Sequence, residues 1–396
     1  MNLTFSAQDQ AFRLEVRQFI DANLPHEIRE RLRRGFPARK QDIFKWHRIL
    51  HGRGWANPAW PVEHGGPGWT PMQQMIFFEE LYTTPAPEPM NFNSNMVGPL
   101  LIHFGTPEQQ QRFLPKVANL DYWFCLGMSE PGAGSDLAAL RTQACRQGES
   151  YLVNGQKIWT STAQHANWMY CMVRTDTTGR PQSGISLLLI DMETPGITVR
   201  PIISIDRRHH FNEVFFDDVV VPVENRIGEE NRGWEYARYL LGRERVGIAR
   251  IGMTRAQLAL ADRLLEGGHD DLSVGEDLDF RRRHALIAAE LAVLEITQFR
   301  VAAQAGAGGE VSAALASLLK VVGSQALQDA SELALDIAGP AALPVLGEPE
   351  PSEDPHDWLE APRAVSNAYA FSRAASIYGG SNEIQKNIIA KTALGI

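Results

Sequence analysis

The chain has 396 residues, of which 44% are hydrophobic and 21% charged, with a formal net charge of −9 and three cysteines. This usage is globular and excludes disorder, and the length leaves room for two or three domains. The acidic balance excludes nucleic acid as the main partner, because phosphate binding needs a basic surface, but a few local arginines still suffice for a small anion.

Cys125, Cys145 and Cys171 form an odd set without C-x-x-C spacing. That excludes a disulfide framework and a thiolate metal site and fits a reducing compartment. No apolar run approaches the ~18 residues of a membrane span. Asp9, Glu15 and Asp21 punctuate an N-terminus with no secretory h-region, so a cytoplasmic location is expected.

Residues 1–120 read as a helical domain. Ser6 and Asp9 make an S-x-x-D start ahead of Phe12, Val16, Phe19 and Ile20, and Pro25 ends that helix. A second helix carries Ile43, Trp46, His47 and Leu50, and a Gly/Pro-rich loop follows from Trp60 to Pro71. Residues 121–230 read as short strands, suggesting a β-barrel or sandwich. There, Asn154-Gly155 between Tyr151-Leu-Val and Lys157-Ile-Trp-Thr predicts a hairpin turn. From 231 to 396 the pattern returns to long amphipathic helices at about 234–266, 279–305 and 310–338, with a last pair after Asp354. Segments of this kind favour an antiparallel four-helix bundle.

Four stretches carry chemistry. In Met128-Ser-Glu-Pro-Gly-Ala-Gly-Ser-Asp136, Gly132 and Gly134 let backbone amides approach a ligand, and Ser129 and Ser135 supply hydroxyls. A plain G-x-G loop reads equally well, and the dinucleotide fingerprint is missing. Trp159, Thr160 and Ser161 could flank a planar ring and hydrogen-bond its edge, or Trp159 could be a core residue. On the helix around Leu240, the apolar stripe of Ala237, Leu240, Leu241, Ile248 and Ile251 also holds Glu244, with no partner three or four residues away. Such a carboxylate is either a general base with a raised pKa or half of an interhelical ion pair with Arg363 or Arg373. Finally, Gly379-Gly380 before Ser381 and Asn382 look like a helix break with a new N-cap, whose free N–H groups could polarise a carbonyl or hold a phosphate, although as a lone pattern a plain helix–helix corner is the stronger reading.

Together the E-P-G-A-G-S-D, N-G-Q-K-x-W and I-Y-G-G-S-N-E-I-Q stretches, in this order, resemble the acyl-CoA dehydrogenase family over essentially the whole chain. The His103-Phe-Gly-Thr-Pro-Glu108 and Asn212-to-Val219 runs also look like the family. The resemblance implies an FAD-dependent enzyme of fatty acid metabolism and β-oxidation, forming the trans-2-enoyl-CoA and passing electrons to an electron-transfer flavoprotein. It implies that Met128, Ser129, Gly134, Trp159, Thr160 and Ser161 line the flavin, that Ser381 and Glu383 meet the FAD, and that Ser135 and Arg245 lie along the acyl-CoA. Many family members carry the base at the position that here is Gly379, which holds no side chain. Others place it on the first bundle helix, which corresponds to Glu244, and Gly379 keeps a backbone N–H for the thioester oxygen.

Two departures stand out. The family's R-x-x-F-G motif is absent, the region reading Asp279-Phe-Arg-Arg-Arg-His284, and Q-x-x-G-G-x-G becomes Asp336-Ile-Ala-Gly-Pro-Ala. Both motifs normally complete an FAD site across a dimer. Their loss resembles bacterial hetero-oligomeric dehydrogenases, with the pimeloyl-CoA dehydrogenase large subunit nearest in length and termini. The partners implied are acyl-CoA, the electron-transfer flavoprotein, and either copies of this chain or a second dehydrogenase-like subunit in a tetramer. Two other readings are an FAD-poor supporting subunit and an acyl-CoA oxidase-like flavoenzyme.

Overall fold

The protein is described by a computed structural model over residues 5–243, 249–266, 277–306, 312–343 and 360–396. It opens with six helices: α1 (Ala7–Asn23), α2 (His26–Arg33), α3 (Lys40–Arg53), α4 (Pro71–Thr83), α5 (Gly98–Phe104) and α6 (Pro107–Ala118). The Ser6/Asp9 start is a full capping box, with Asp9 N–H donating to Ser6 Oγ at 3.1 Å. Val16 and Ile20 from α1 pack on Trp46, Leu50, Phe77 and Leu81, one fully buried core. Arg13 and Arg17 both reach the buried Glu80 carboxylate at 2.8 Å, which locks α1 to α4.

The middle of the chain is one sheet of eight strands: β1 (Phe124–Gly127), β2 (Gln143–Gln147), β3 (Ser150–Ser161), β4 (Trp168–Arg174), β5 (Ile185–Asp191), β6 (Ile197–Ile203), β7 (His209–Pro222) and β8 (Arg226–Ile227). The order is β6-β7-β3-β2-β4-β5-β8, with β1 parallel on β4. The hairpin expected at Asn154-Gly155 is not there. β3 runs straight through both residues, and its hairpin partner is β2, with the turn at Gly148 (φ 60°). Asn154-Gly155 is instead a bulge against β7. Asn154 exchanges two hydrogen bonds with Asp218, donating through Nδ2 and accepting from its N–H, both at 2.9 Å. Gly155 sits against Thr142, where a Cβ would fall 2.7 Å from the Thr142 Cα. The dipeptide's tolerance for unusual φ is used to bend a strand, not to reverse one.

The last part returns to helices: α7 (Gly233–Arg243), α8 (Ile251–Glu266), α9 (Leu278–Gly306), α10 (Ala313–Ala338), α11 (Glu360–Ser372) and α12 (Asn382–Ile389). The expected single helix over 234–266 is two. The chain turns at Ala249 and Arg250, the latter left-handed at φ 54°. Close packing sets that path: a Cβ on Gly252 would lie 1.9 Å from the Tyr82 ring, and one on Gly323 would lie 2.2 Å from the Ala249 oxygen. Tertiary contact here overrides the helical pattern. The core of the bundle joins Leu258, Leu260, Ile287, Leu291, Leu333 and Val365. The overall order is the expected one of helices, sheet and helices. Among the described residues no helix is long and apolar enough to cross a membrane.

Candidate active site

The first part of the site is built by a buried lysine. From Tyr151 and Val153, strand alternation carries the inward face of β3 to Lys157, which is fully buried. Its ammonium meets Glu130 Oε1 at 2.7 Å and donates to the Met128 carbonyl at 3.2 Å. Glu130 also accepts from the N–H groups of Arg141 (2.6 Å) and Thr142 (2.9 Å). Burial pushes the Glu130 carboxyl up, but Lys157 and these donors win and hold it below the ordinary glutamate range. One rung along, Ile158 N–H donates to the Ser129 carbonyl at 2.9 Å. Met128 and Ser129 are thereby stitched beside Trp159, Thr160 and Ser161.

A second bulge, between Lys157 and Thr160, puts Trp159 at φ 59° and turns its ring outward, 56% exposed. The hydroxyls of Ser129 and Ser161 have no hydrogen-bond partner among the described residues, and the buried Thr160 Oγ1 has none either. An outward ring beside open hydroxyls fits the edge and face of a flavin. Pro131 and Gly132 make a tight reversal closed by two 3.0 Å bonds between Glu130 and Ala133, which leaves Gly134 and Ser135 exposed at the loop tip.

The second part is the C-terminal corner between α11 and α12. Gly379 (φ 66°) and Gly380 (φ 81°) are successive left-handed residues, which a glycine pair adopts without strain. Gln385 holds them: its Nε2 donates to the Gly379 carbonyl at 3.2 Å, while its Oε1 accepts from Ser317 Oγ at 2.7 Å. Lys320, buried in α10, donates to the Ala375 carbonyl (2.7 Å) and to Asn382 Oδ1 (3.1 Å). The Gly379 N–H donates to nothing among the described residues. Ser381 caps α12, and Glu383 in its first turn is exposed, held below the ordinary range by its own backbone N–H and by Ser381.

A cavity of about 980 Å³ lies beside the two parts, reached by a chain neighbour of each. Thr162, next to Ser161, lines one side, and Tyr378, next to Gly379, lines another. His210 on β7 and Phe371 on α11 close the gap, with ring centroids 4.6 Å apart. Glu244 and Arg245 lie outside the described residues, as does the side chain of Arg363. Arg373, the other ion-pair partner considered for Glu244, pairs with Glu332 at 3.7 Å and donates to the Gln328 carbonyl at 2.9 Å. Of the two altered segments, Arg283 and Asp336 pair with one another at 2.8 Å.

Sequence reading missed Lys157–Glu130, Gln385 and Lys320 as organisers of the site. The alternation along β3 carried a signal for Lys157, whereas the Gln385 and Lys320 contacts cross between helices. It also missed Glu88, whose carboxyl is raised by burial, offset in part by the Arg250 charge. Arg250 in turn sits over the Tyr378 ring at 5.1 Å.

Comparison with known proteins gives matches along the whole chain. Family models described as the acyl-CoA dehydrogenase N-terminal, middle and C-terminal domains match residues 6–121, 125–219 and 231–394. "Acyl-CoA dehydrogenase IpdE1" of Mycobacterium tuberculosis is 33% identical, over 98% of this chain and 97% of its own. "Acyl-CoA dehydrogenase FadE29" of the same organism is 32% identical, over 100% and 99%. Among solved structures, the "Tcur3481-Tcur3483 steroid ACAD" superposes with a TM-score of 0.85 at 28% identity, covering 100% of this chain and 99% of that one. The ChsE4-ChsE5 complex of Mycobacterium tuberculosis does so with a TM-score of 0.83 at 31% identity and the same coverage.

Proposed function

Because the chain belongs to the acyl-CoA dehydrogenase family, whose members are FAD-dependent oxidoreductases, we propose that it converts an acyl-CoA thioester to the trans-2-enoyl-CoA with Glu244 as the base. The observation that carries this reading is the Gly379-Gly380 corner. Its Gly379 carbonyl is held by Gln385, its Gly379 N–H donates to nothing among the described residues, and it has no side chain that could take a proton.

The Gly379 N–H would donate to the thioester oxygen, stabilising the negative charge that develops there as the α-proton leaves. Glu244 would accept that proton, and its place on the apolar stripe of the sequence would make its carboxylate more basic. Ser135 and Arg245 would hold the CoA side of the substrate. FAD, when bound, would supply the acceptor for the β-hydride and pass electrons to an electron-transfer flavoprotein. Met128, Ser129, Gly134, Trp159, Thr160, Ser161, Ser381 and Glu383 would hold it, the Trp159 ring covering one face and Ser161 donating at its edge.

The chain would work in an oligomer, with copies of itself or with a second dehydrogenase-like subunit. Arg283–Asp336 favours the second arrangement, because the two segments that would reach a neighbour's cofactor are tied to each other. The same pair is what favours the rival reading of a supporting subunit.

The test is reduction of bound flavin by acyl-CoAs in wild type and Glu244→Gln, alone and with any co-purifying subunit. Bleaching in wild type and none in an FAD-loaded variant supports the assignment. Equal bleaching removes Glu244 from the reaction, and absence of flavin in every setting leaves the supporting-subunit reading. Oxygen consumption without added acceptor would make the enzyme an oxidase.

A further inference from the structure

The cavity is unlike the chain that surrounds it. The protein carries a net charge of −9, yet seven Arg or Lys side chains and no Asp or Glu are found among the described residues lining this space. Its positive field is felt by the groups inside. Burial, then Lys40 and His209, push the His165 pKa down. Most of these cations have partners elsewhere: Arg33 pairs with Glu30 at 2.8 Å, and Arg255 with Glu295 at 2.6 Å. Arg263 is different. Its guanidinium is half-buried, with no hydrogen bond or ion pair among the described residues, and burial and the nearby Arg33 charge depress it against a weaker pull from Asp262. Asp262 itself faces His284 at 3.0 Å.

Arg263 also has a definite place. Met253, Gln257, Leu260 and Arg263 follow helical spacing on α8 and all line the cavity. Arg250 links Met253 (4.0 Å to its sulfur) to the Tyr378 ring (5.1 Å), next to Gly379, while Arg263 feels the Arg33 charge and the neighbouring Leu260 packs on Gly35. Ten residues of helix separate the two ends, about 15 Å at the α-helical rise. Between them the wall is Ala256, Ala259 and Leu260, plus Arg255, which is held by Glu295 at 2.6 Å, and Gln257, whose buried Oε1 has no donor. A largely apolar trough that ends at a half-buried guanidinium with no partner among the described residues fits a ligand with an apolar body and an anionic end, because a partly desolvated cation gains from a charged partner.

We propose that the acyl group of the substrate is long and ends in a carboxylate, which Arg263 binds at the far end of the cavity. This rests on the dehydrogenase reading for the position of the thioester. It assigns Arg263 to substrate recognition only, away from the reacting carbons.

The experiment uses the FAD-loaded protein, with its partner subunit if one co-purifies, and two matched probes, dodecanoyl-CoA and dodecanedioyl-CoA. Flavin reduction gives kcat and KM. Calorimetric titration of Glu244→Gln gives binding without turnover. Wild type should prefer dodecanedioyl-CoA, and Arg263→Met should lower kcat/KM and affinity for it by about ten- to hundredfold. Dodecanoyl-CoA, FAD content and melting temperature should be unchanged, and Arg263→Lys should restore part of the preference. An equal loss on both probes would overturn the proposal and place CoA at Arg263, and loss of FAD would overturn it in favour of a cofactor phosphate. No preference in wild type also overturns it. If neither probe reduces flavin, the dehydrogenase reading fails, while the calorimetric preference still decides whether Arg263 reads the carboxylate.

Discussion

Replacing Lys157 with methionine removes a cation and keeps the aliphatic stem in place, leaving Glu130 buried beside an apolar side chain. Breaking a buried ion pair from one side costs about 3–5 kcal/mol. The lower end applies here, because Glu130 keeps the N–H groups of Arg141 and Thr142. The pH dependence is the sharper signature. In wild type the Glu130 carboxyl is held below its ordinary value, so its contribution is present above the unfolded pKa and is lost as pH falls through the folded one. In Lys157→Met, burial is no longer opposed by the ammonium, and the carboxyl rises instead. Folding then favours the protonated acid, so acidification relieves the variant while it weakens the wild type. Thermal melts should show a deficit of several degrees at pH 7 that narrows toward pH 4, and Glu130→Gln in the Lys157→Met background should recover most of it. The variant should also lose FAD on gel filtration, since the Met128 carbonyl is no longer held. A pH-independent deficit, or full stability with flavin retained, would refute the account.

Two further outcomes follow from buried polar groups. His47 Nε2–H donates to the Ala118 carbonyl at 2.9 Å while its Nδ1 accepts from Met90 N–H at 3.3 Å, so the ring is neutral, and burial lowers its pKa to about 4. The neutral ring stabilises the fold above pH 6.5 by about 3 kcal/mol, lost as pH falls toward 4; His47→Gln should flatten that part of a stability-versus-pH curve. Gln385→Ala strands Ser317 Oγ and frees the Gly379 corner, at about 1–3 kcal/mol. Stopped-flow flavin reduction should slow at unchanged FAD content, and an unaltered rate would show that the corner needs no such hold.

How much was legible in the sequence depends on the range of the contact that decides each feature. The α1 capping box is a matter of residues three apart, and Ser6 and Asp9 announced it. The order of helices, sheet and helices followed from periodicity alone. Asn154-Gly155 misled because a permissive dipeptide marks unusual φ without saying whether the chain reverses or bulges, and only the pairing with Asp218 on β7 decides. The break at Arg250 depends on Tyr82, far away in sequence. Of the site itself, the residue types around Trp159 and Gly379 were legible, but the lysines that hold them were not, because a buried lysine is recognisable only with its acceptors. The cation-lined cavity had no local trace, since its walls come from every part of the chain.

The left-handed bulge that turns Trp159 outward has a consequence for anyone altering this protein. A tryptophan at φ 59° carries about 1–2 kcal/mol of backbone strain that glycine or asparagine would relieve. The exposed indole gives little back when nothing lies on it. A library screened for heat tolerance alone will therefore drift toward the small residue at 159, and one screened for a yellow colour on the column will keep the indole. Selection on the two traits pulls this position in opposite directions.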